Sequence, residues 1–420
     1  MKLEDYIHDA KGCVRCSNCK FIDHIWVQSA RFARQCPINM KYKFNLYSAS
    51  GLLHSAVGIM ENELEFTPRL LDALYKCTLC GACDIRCKRN LDLEVLSVIE
   101  TLKARCVEVG KGPMLEHKVV KENIETYNNQ YGFPHMNRLS WLTSDVRSVS
   151  KVDMLYFVGC TGSYIDNDIA QAASKILTHT NTEFMVSPDE WCCGYLLYST
   201  GQLEAFKRQV EHNIRMVKEL GVSSILVTCA QCYKTWKVDY PKVLGKSTDD
   251  MNFKVVHIVE YLAELIKEGK LSFKNRIDMK VTYHDPCNLA RLAEPWFQWQ
   301  GEHRRMGVLE PPKTFRRGDG GVYQQPRYIL TSIPGIEFRE MERARDNALC
   351  CGGGAGVSLS FSDFALWIAS ERLEEAKATG AEAIVTACPT GKRILSEAAR
   401  QGKGNIKVYD INELILKAIL

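Results

Sequence analysis

The sequence predicts an α+β multidomain protein: a mostly α-helical segment in front, followed by two duplicated α/β units. Three observations predict it. The first 90 residues carry cysteines in C-x2-C runs, with apolar residues at helical spacing around them. After residue 150, short β-prone runs alternate with amphipathic helices. That alternation then occurs again with the same cysteine punctuation. The expected division is 1–135 for the helical unit, 136–248 for the first α/β unit and 249–420 for the second.

Composition narrows the chemistry. A chain of 420 residues, 46% of them hydrophobic, is ample for several packed domains. Its 18 cysteines would suggest disulfides in a small secreted protein, but "MKLEDYIHDAKGC" has no basic stretch leading into an apolar one. No run of apolar residues is long enough to span a membrane. A cytoplasmic protein is therefore expected, reaching a membrane only through partner subunits. The net charge of +4 is too small to suggest nucleic acid as a partner. Metal-binding cysteines are the remaining reading.

The helical unit opens with "CVRCSNC", which supplies Cys13, Cys16 and Cys19; Cys36 then stands before Pro37. "CTLCGACDIRC" adds Cys77, Cys80, Cys83 and Cys87. C-x2-C-x2-C-x3-C is the spacing of a 4Fe–4S site, whose fourth cysteine serves the other cluster in two-cluster ferredoxins. On that logic Cys13, Cys16, Cys19 and Cys87 hold one cluster, and Cys36, Cys77, Cys80 and Cys83 the other. Two departures stand out. Cys36 follows Cys19 by 17 residues, and Lys88 follows Cys87 where proline is usual. A zinc ribbon fits less well, because zinc takes four ligands and each run offers three at x2 spacing. Cys106 ends a helix-periodic run on its apolar side and reads as a buried free thiol.

In the first α/β unit, "KVDMLYFVGC" is a strand ending at Cys160, and "NDIAQAASKIL" is a helix. "TEFMVSPDEWCCG" is a short strand reaching Cys192 and Cys193, and "SSILVTCAQC" delivers Cys229 and Cys232. In the second unit "MKVTYHDPC" ends at Cys287, "ALCCG" carries Cys350 and Cys351, and "AEAIVTACPTG" brings Cys388. Gly221 precedes Cys229 by eight residues, and Gly380 precedes Cys388 by the same eight. Cysteines at strand ends converge on one sheet edge, where α/β folds place their sites. A cubane needs four thiolates and the first unit offers five, which suits an opened cluster, with one thiolate bridging irons or with an iron lacking its cube position. Gly194 and Gly352 would let the backbone approach such clusters. "CGGGAG" lacks both the G-x-G-x-x-G pattern and a Walker-type lysine, so phosphate binding is disfavoured.

The pattern C-x31-CC-x35-C-x2-C formed by Cys160, Cys192, Cys193, Cys229 and Cys232 resembles the cysteine-rich CCG domain. That family includes heterodisulfide reductase catalytic subunits and the iron–sulfur subunits of glycolate oxidase and anaerobic glycerol-3-phosphate dehydrogenase. A two-cluster ferredoxin domain fused to two CCG domains looks like the D subunit of heterodisulfide reductase. "CVRCSNCK" and "YKCTLCGACDIRCKRNLDLE" are similar to iron–sulfur subunits of class II benzoyl-CoA reductase complexes. The resemblance implies a noncubane 4Fe–4S cluster at the five-cysteine site. In heterodisulfide reductase two such clusters face each other and split a disulfide between them.

Two features depart from that pattern. Gly391 stands where the fifth cysteine of the second site belongs, leaving Cys287, Cys350, Cys351 and Cys388 for a 4Fe–4S cluster there. An insertion at about 292–319 puts 62 residues between Cys287 and Cys350, against 31 between Cys160 and Cys192. It contains Trp296, Phe297, Trp299, Arg304, Arg305, Arg316 and Arg317, and is expected to be a surface loop, or else to dock a partner or cover the second cluster. His284, three residues before Cys287, is either a hydrogen-bond donor to the cluster or a structural histidine. The function implied is an electron-transfer subunit of an anaerobic redox complex. Electrons would come from a partner, a flavoprotein, because no flavin or nucleotide motif is seen in the sequence. The alternative is a catalytic subunit that reduces a disulfide or thiol-linked substrate at the first CCG site.

Overall fold

The computed structural model describes residues 2–144, 149, 152–304, 308–402 and 406–420. Helices dominate the front of the chain. Ser48 and Thr67 accept backbone N–H groups from Gly51 and Leu70, capping the helices Ala49–Met60 and Pro68–Tyr75. Between them lies a buried core of Leu52, Ala56, Leu74, Val98 and Leu102, the last two from the helix Val95–Glu108. That core does not stop at the unit's edge. Leu292, Ala355, Val357 and Phe364 from the far end of the chain belong to it.

The strands are β1 Met154–Phe157, β2 Ser224–Val227, β3 Lys254–His257, β4 Met279–His284, β5 Glu302–His303, β6 Leu309–Glu310, β7 Ile336–Phe338, β8 Ala383–Thr386 and β9 Lys407–Asp410. β1-β2-β3 form one parallel sheet and β7-β4-β8-β9 another. Among the described residues, the stretch expected as a strand before Cys192 makes one parallel bridge, Leu155 to Met185. That bridge sits where β7 sits in the second sheet, so the strand orders correspond. Helix Asn167–His179 packs on helix Ile411–Ile419, and Ile258–Lys267 packs on Gln324–Ser332. The expected boundary at 248/249 is corrected by the sheet pairing, because β3 joins β2 and takes the following helix Ile258–Lys267 into the first unit; each helix pair then joins the first crossover helix of one unit to the last helix of the other. The two sheets then share one core, with Leu155 and Val227 in the same apolar cluster as Val281 and Val385.

The registers place the cysteines. Phe157 pairs with Val227, and Cys160 and Cys229 follow three and two residues later. His284 pairs with Thr386, and Cys287 and Cys388 follow at the same offsets. Both sets therefore leave the carboxyl edge of a parallel sheet side by side.

The insertion is used internally. Arg317 pairs with Asp92 and Lys313 with Glu94, His303 stacks on His8, and Trp296 bonds to Thr248. Arg316 donates to the carbonyls of Leu292 and Glu294. The segment thus straps the helical unit to both α/β units. Phe297 remains exposed at 45%, and Arg305 lies outside the described residues.

Candidate metal centres

Thiols collect in small cavities at both ends of the helical unit. Cys13, Cys16, Cys19 and Cys87 line one, beside Ser50 and Leu53. Cys36, Cys77, Cys80 and Cys83 line the other, beside Pro37, Leu96 and Ile99. We call these the outer and inner sites, because Cys16 is exposed while Cys36 and Cys80 are buried. Burial pushes the Cys87 thiol up to about 12, and the Cys36 and Cys83 thiols well above the usual range. Thiols packed this way lose their protons only to a cation.

In the first α/β unit the five cysteines form a line of mutual contacts. Cys160 meets Cys192, Cys192 meets Cys193, Cys193 meets Cys232, and Cys232 meets Cys229. Cys192 accepts from Cys160 and donates to Cys193, which also accepts from Cys232 and is pulled down to about 6. Gly194, at φ +83°, turns its N–H onto the Cys192 sulfur at 3.4 Å. Gly352, at φ +92°, does the same for Cys350 at 3.3 Å. The two double-cysteine motifs are one local structure used twice. Buried Glu190 holds the Cys160 loop by accepting from Val158 and Gly159 at 2.9 and 2.8 Å, with Arg138 as its counter-ion.

In the second unit Cys287 meets Cys350, and Cys350 meets Cys351. Two contacts leave this group. Cys350 touches Cys80 of the inner site, and Cys388 touches Cys229 of the first unit. Gly391 occupies the third position of the helix Pro389–Gln401, as Cys232 does in Ala230–Lys234. A Cβ there would meet nothing nearer than Thr386 Oγ1 at 3.4 Å. Gly391→Cys should therefore fold unchanged, gaining a few tenths of a kcal/mol in helix propensity, and alter the EPR spectrum of the second site alone. An unaltered spectrum would mean that a thiol at 391 does not reach that site.

Other expectations resolve simply. Cys106 is fully buried against Tyr75, and burial pushes it up to about 11. His284 accepts at Nδ1 from buried Arg372 at 3.1 Å, which is a structural role. Sequence reasoning missed two buried cations. Lys103 donates to the Cys77 carbonyl at 3.1 Å, and Arg291 donates to the Cys80 carbonyl at 2.7 Å. Burial pulls Lys103 down to about 8. The groups that act most strongly on Arg291 are the Cys80, Cys287 and Cys350 thiols and Tyr323, and among the described residues no carboxylate is in ion-pair contact with it. An inner four-thiol cavity flanked by two cations without ion-paired carboxylates fits an anionic iron–sulfur cluster, and uncompensated buried charge is otherwise costly. For Arg291 the available signal was its place one helical turn after Cys287.

Between the two α/β units lies a cavity of about 610 Å³ lined by Tyr131, Gln231, Gly353, Thr390, Lys392, Arg393 and Arg400 among others. Gln231 and Thr390 each neighbour a cysteine of a different unit, and they bond to each other at 3.1 Å.

Comparison with known families decides the relationship. Residues 9–91 match the 4Fe-4S dicluster domain, and residues 154–237 and 312–394 match the cysteine-rich domain CCG. Over 417 residues the chain is 33% identical to the D subunit of dihydromethanophenazine:CoB–CoM heterodisulfide reductase from Methanosarcina acetivorans, covering 97% of this chain and 93% of that protein. The chain belongs to the heterodisulfide reductase D family. It is also 29% identical to the B subunit of fumarate reductase (CoM/CoB) from Methanothermobacter marburgensis, covering 99% of this chain and 74% of that one. With EtfAB:quinone oxidoreductase of Syntrophomonas wolfei it shares 26% identity, over 86% of this chain and 49% of that protein. This member of the heterodisulfide reductase D family is thus an iron–sulfur redox protein with a dicluster domain and two CCG domains. No helix among its described residues is long and apolar enough to cross a membrane.

Proposed function

We propose that the chain is the electron-transfer subunit of a multi-subunit anaerobic redox complex, carrying four clusters. Cys13, Cys16, Cys19 and Cys87 would hold the outer 4Fe–4S cluster, and Cys36, Cys77, Cys80 and Cys83 the inner one. Cys287, Cys350, Cys351 and Cys388 would hold a third. Cys160, Cys192, Cys193, Cys229 and Cys232 would hold a noncubane cluster. Such groups supply one-electron chemistry. The observation that carries the reading is the succession of thiol groups from exposed Cys16 inward, joined by the Cys80–Cys350 and Cys388–Cys229 contacts. A flavoprotein partner is the proposed electron source.

The 610 Å³ cavity favours a second reading, catalysis in this chain. A disulfide or thiol-linked substrate seated there would meet Lys392, Arg393 and Arg400 on the helix that begins beside Cys388. Opening its S–S bond consumes two electrons and two protons and gives two thiols.

Anaerobically isolated protein should contain about sixteen irons per chain, four for each site. With those clusters intact, no disulfide-dependent oxidation of a reduced viologen is expected. Robust turnover would shift the assignment to the catalytic reading. Colourless protein, with zinc or no metal, would remove both.

A further inference from the structure

The inner and outer sites differ in the charges around them. Lys103 is fully buried on the helix Val95–Glu108, with its ammonium on the Cys77 carbonyl and 5.4 Å from the Tyr75 ring centre. The nearest carboxylate acting on it, Glu100, is already engaged by Lys242 at 2.8 Å and Lys234 at 3.6 Å. Arg291 is 2% exposed and donates to the carbonyls of Cys80, Asp346 and Ala348. Among the described residues neither cation has a carboxylate in ion-pair contact. The outer site has no such neighbour. Arg15 and Lys20 beside it are held by His54 and Asn45 towards solvent, where water and salt screen them. Buried Lys88, next to Cys87, is paired with Asp84 at 2.8 Å and Glu94 at 2.7 Å, so it is no unpaired cation at that site, and the Asp84 charge that acts on Cys87 is offset by it.

We propose that Lys103 and Arg291 hold the inner site at a higher reduction potential than the outer one, so that electrons entering on the Cys16 side run inward. Reduction adds one negative charge and no proton. At the inner site that charge arises beside two fixed cations in a dry interior, where Coulomb attraction is strong. Water also favours a reduced outer site, but it does so diffusely. Two cations bonded to the backbone of two ligand residues outweigh it. The electron lost by the outer site is the one gained by the inner site, and the outer site is re-reduced by the one-electron donor subunit. Arg291 also faces Cys287 and Cys350, so it stabilises an electron on its way into the second CCG site as well. The inference rests on the iron–sulfur reading above.

Redox titration of the complete chain followed by EPR tests it, with Cys16→Ser marking the outer signal. The inner signal of the wild type should appear at the higher potential. Lys103→Gln and Arg291→Gln keep a donor for the same carbonyl and remove the charge. Each should shift the reduced-to-oxidised ratio of the inner site at least tenfold, about 59 mV for one electron, and leave the outer site unmoved. Lys103→Arg and Arg291→Lys should stay near the wild type. Reversed order in the wild type, equal shifts at both sites, or conservative variants that shift as far as glutamine would each overturn the proposal. Should a glutamine variant lose its inner cluster, the wild-type order decides. Protein without iron would fail the functional reading itself, whereas iron-replete protein with reversed order fails this inference alone.

Discussion

Cys193→Ala is expected to remove about four irons per chain and the EPR signal of the first CCG site, while the outer and inner signals persist. The reason is position. Cys193 stands in the middle of the five-thiol line, accepting from Cys192 on one side and Cys232 on the other. A terminal thiol such as Cys160 could be lost with one iron under-coordinated, but a central one joins the two halves of the site. Its backbone is fixed independently. The Cys193 carbonyl accepts from Tyr240 Oη at 3.0 Å, and the Gly194 N–H is taken by the Cys192 sulfur. Alanine therefore keeps the chain path and deletes one buried atom, a change of about 1 kcal/mol by the scale of small core deletions. That is too little to unfold a protein of this size. Iron analysis and EPR on the same sample check the expectation. Loss of every signal together would show that the residue is needed for folding rather than as a ligand.

How much of this is legible in the sequence depends on how local each feature is. The alternation of strands and helices follows from periodicities within single elements, and β1, β2, β4 and β8 lie within the expected runs. The grouping of Cys87 with Cys13, Cys16 and Cys19 around one cavity follows from spacing rules, because the helix starting at Ala82 sets Cys83 and Cys87 on one face but a full turn apart along its axis, and each lines a different cavity. Other features depend on contacts between distant segments, which spacing cannot encode. The stretch before Cys192 reads as a full strand because it is β-prone. Among the described residues its bridge to β1 is at Met185, and beyond it Pro188 and the Glu190 contacts turn it towards the thiols. The aromatics and arginines of the insertion have the composition of an interface, and that interface proves to lie within the chain: Arg317, Lys313 and Trp296 bind its own units. The second double-cysteine motif is richer in glycine than the first for a similar reason. Its extra glycines lie against distant segments: Gly354 against the backbone of Thr78 in the inner-site loop, Gly353 against the Thr390 side chain and Gly356 against the His117 ring.

That contact supports the last expectation. A Cβ on Gly354 would lie 2.5 Å from the Thr78 carbonyl oxygen, a backbone atom with no rotamer to yield. Thr78 sits between Cys77 and Cys80, and Gly354 is four residues from Cys350, so this close approach is what lets Cys80 and Cys350 touch. Gly354→Val should push the two loops apart at a cost of about 1–3 kcal/mol, typical of overpacking. The protein should still fold and load iron, because no ligand is altered and the large apolar core shared by the two sheets lies elsewhere. Electron transfer falls steeply with distance, so the effect should appear as a rate. After rapid mixing with a one-electron donor, the outer and inner sites should be reduced as in the wild type. The CCG sites should lag by well over an order of magnitude. Stopped-flow absorbance with freeze-quench EPR separates the two phases. If the CCG sites keep pace in an iron-replete variant, electrons reach them by a path that does not cross the Thr78–Gly354 contact, and the serial order from the inner site through Cys350 to Cys388 and Cys229 would have to be abandoned.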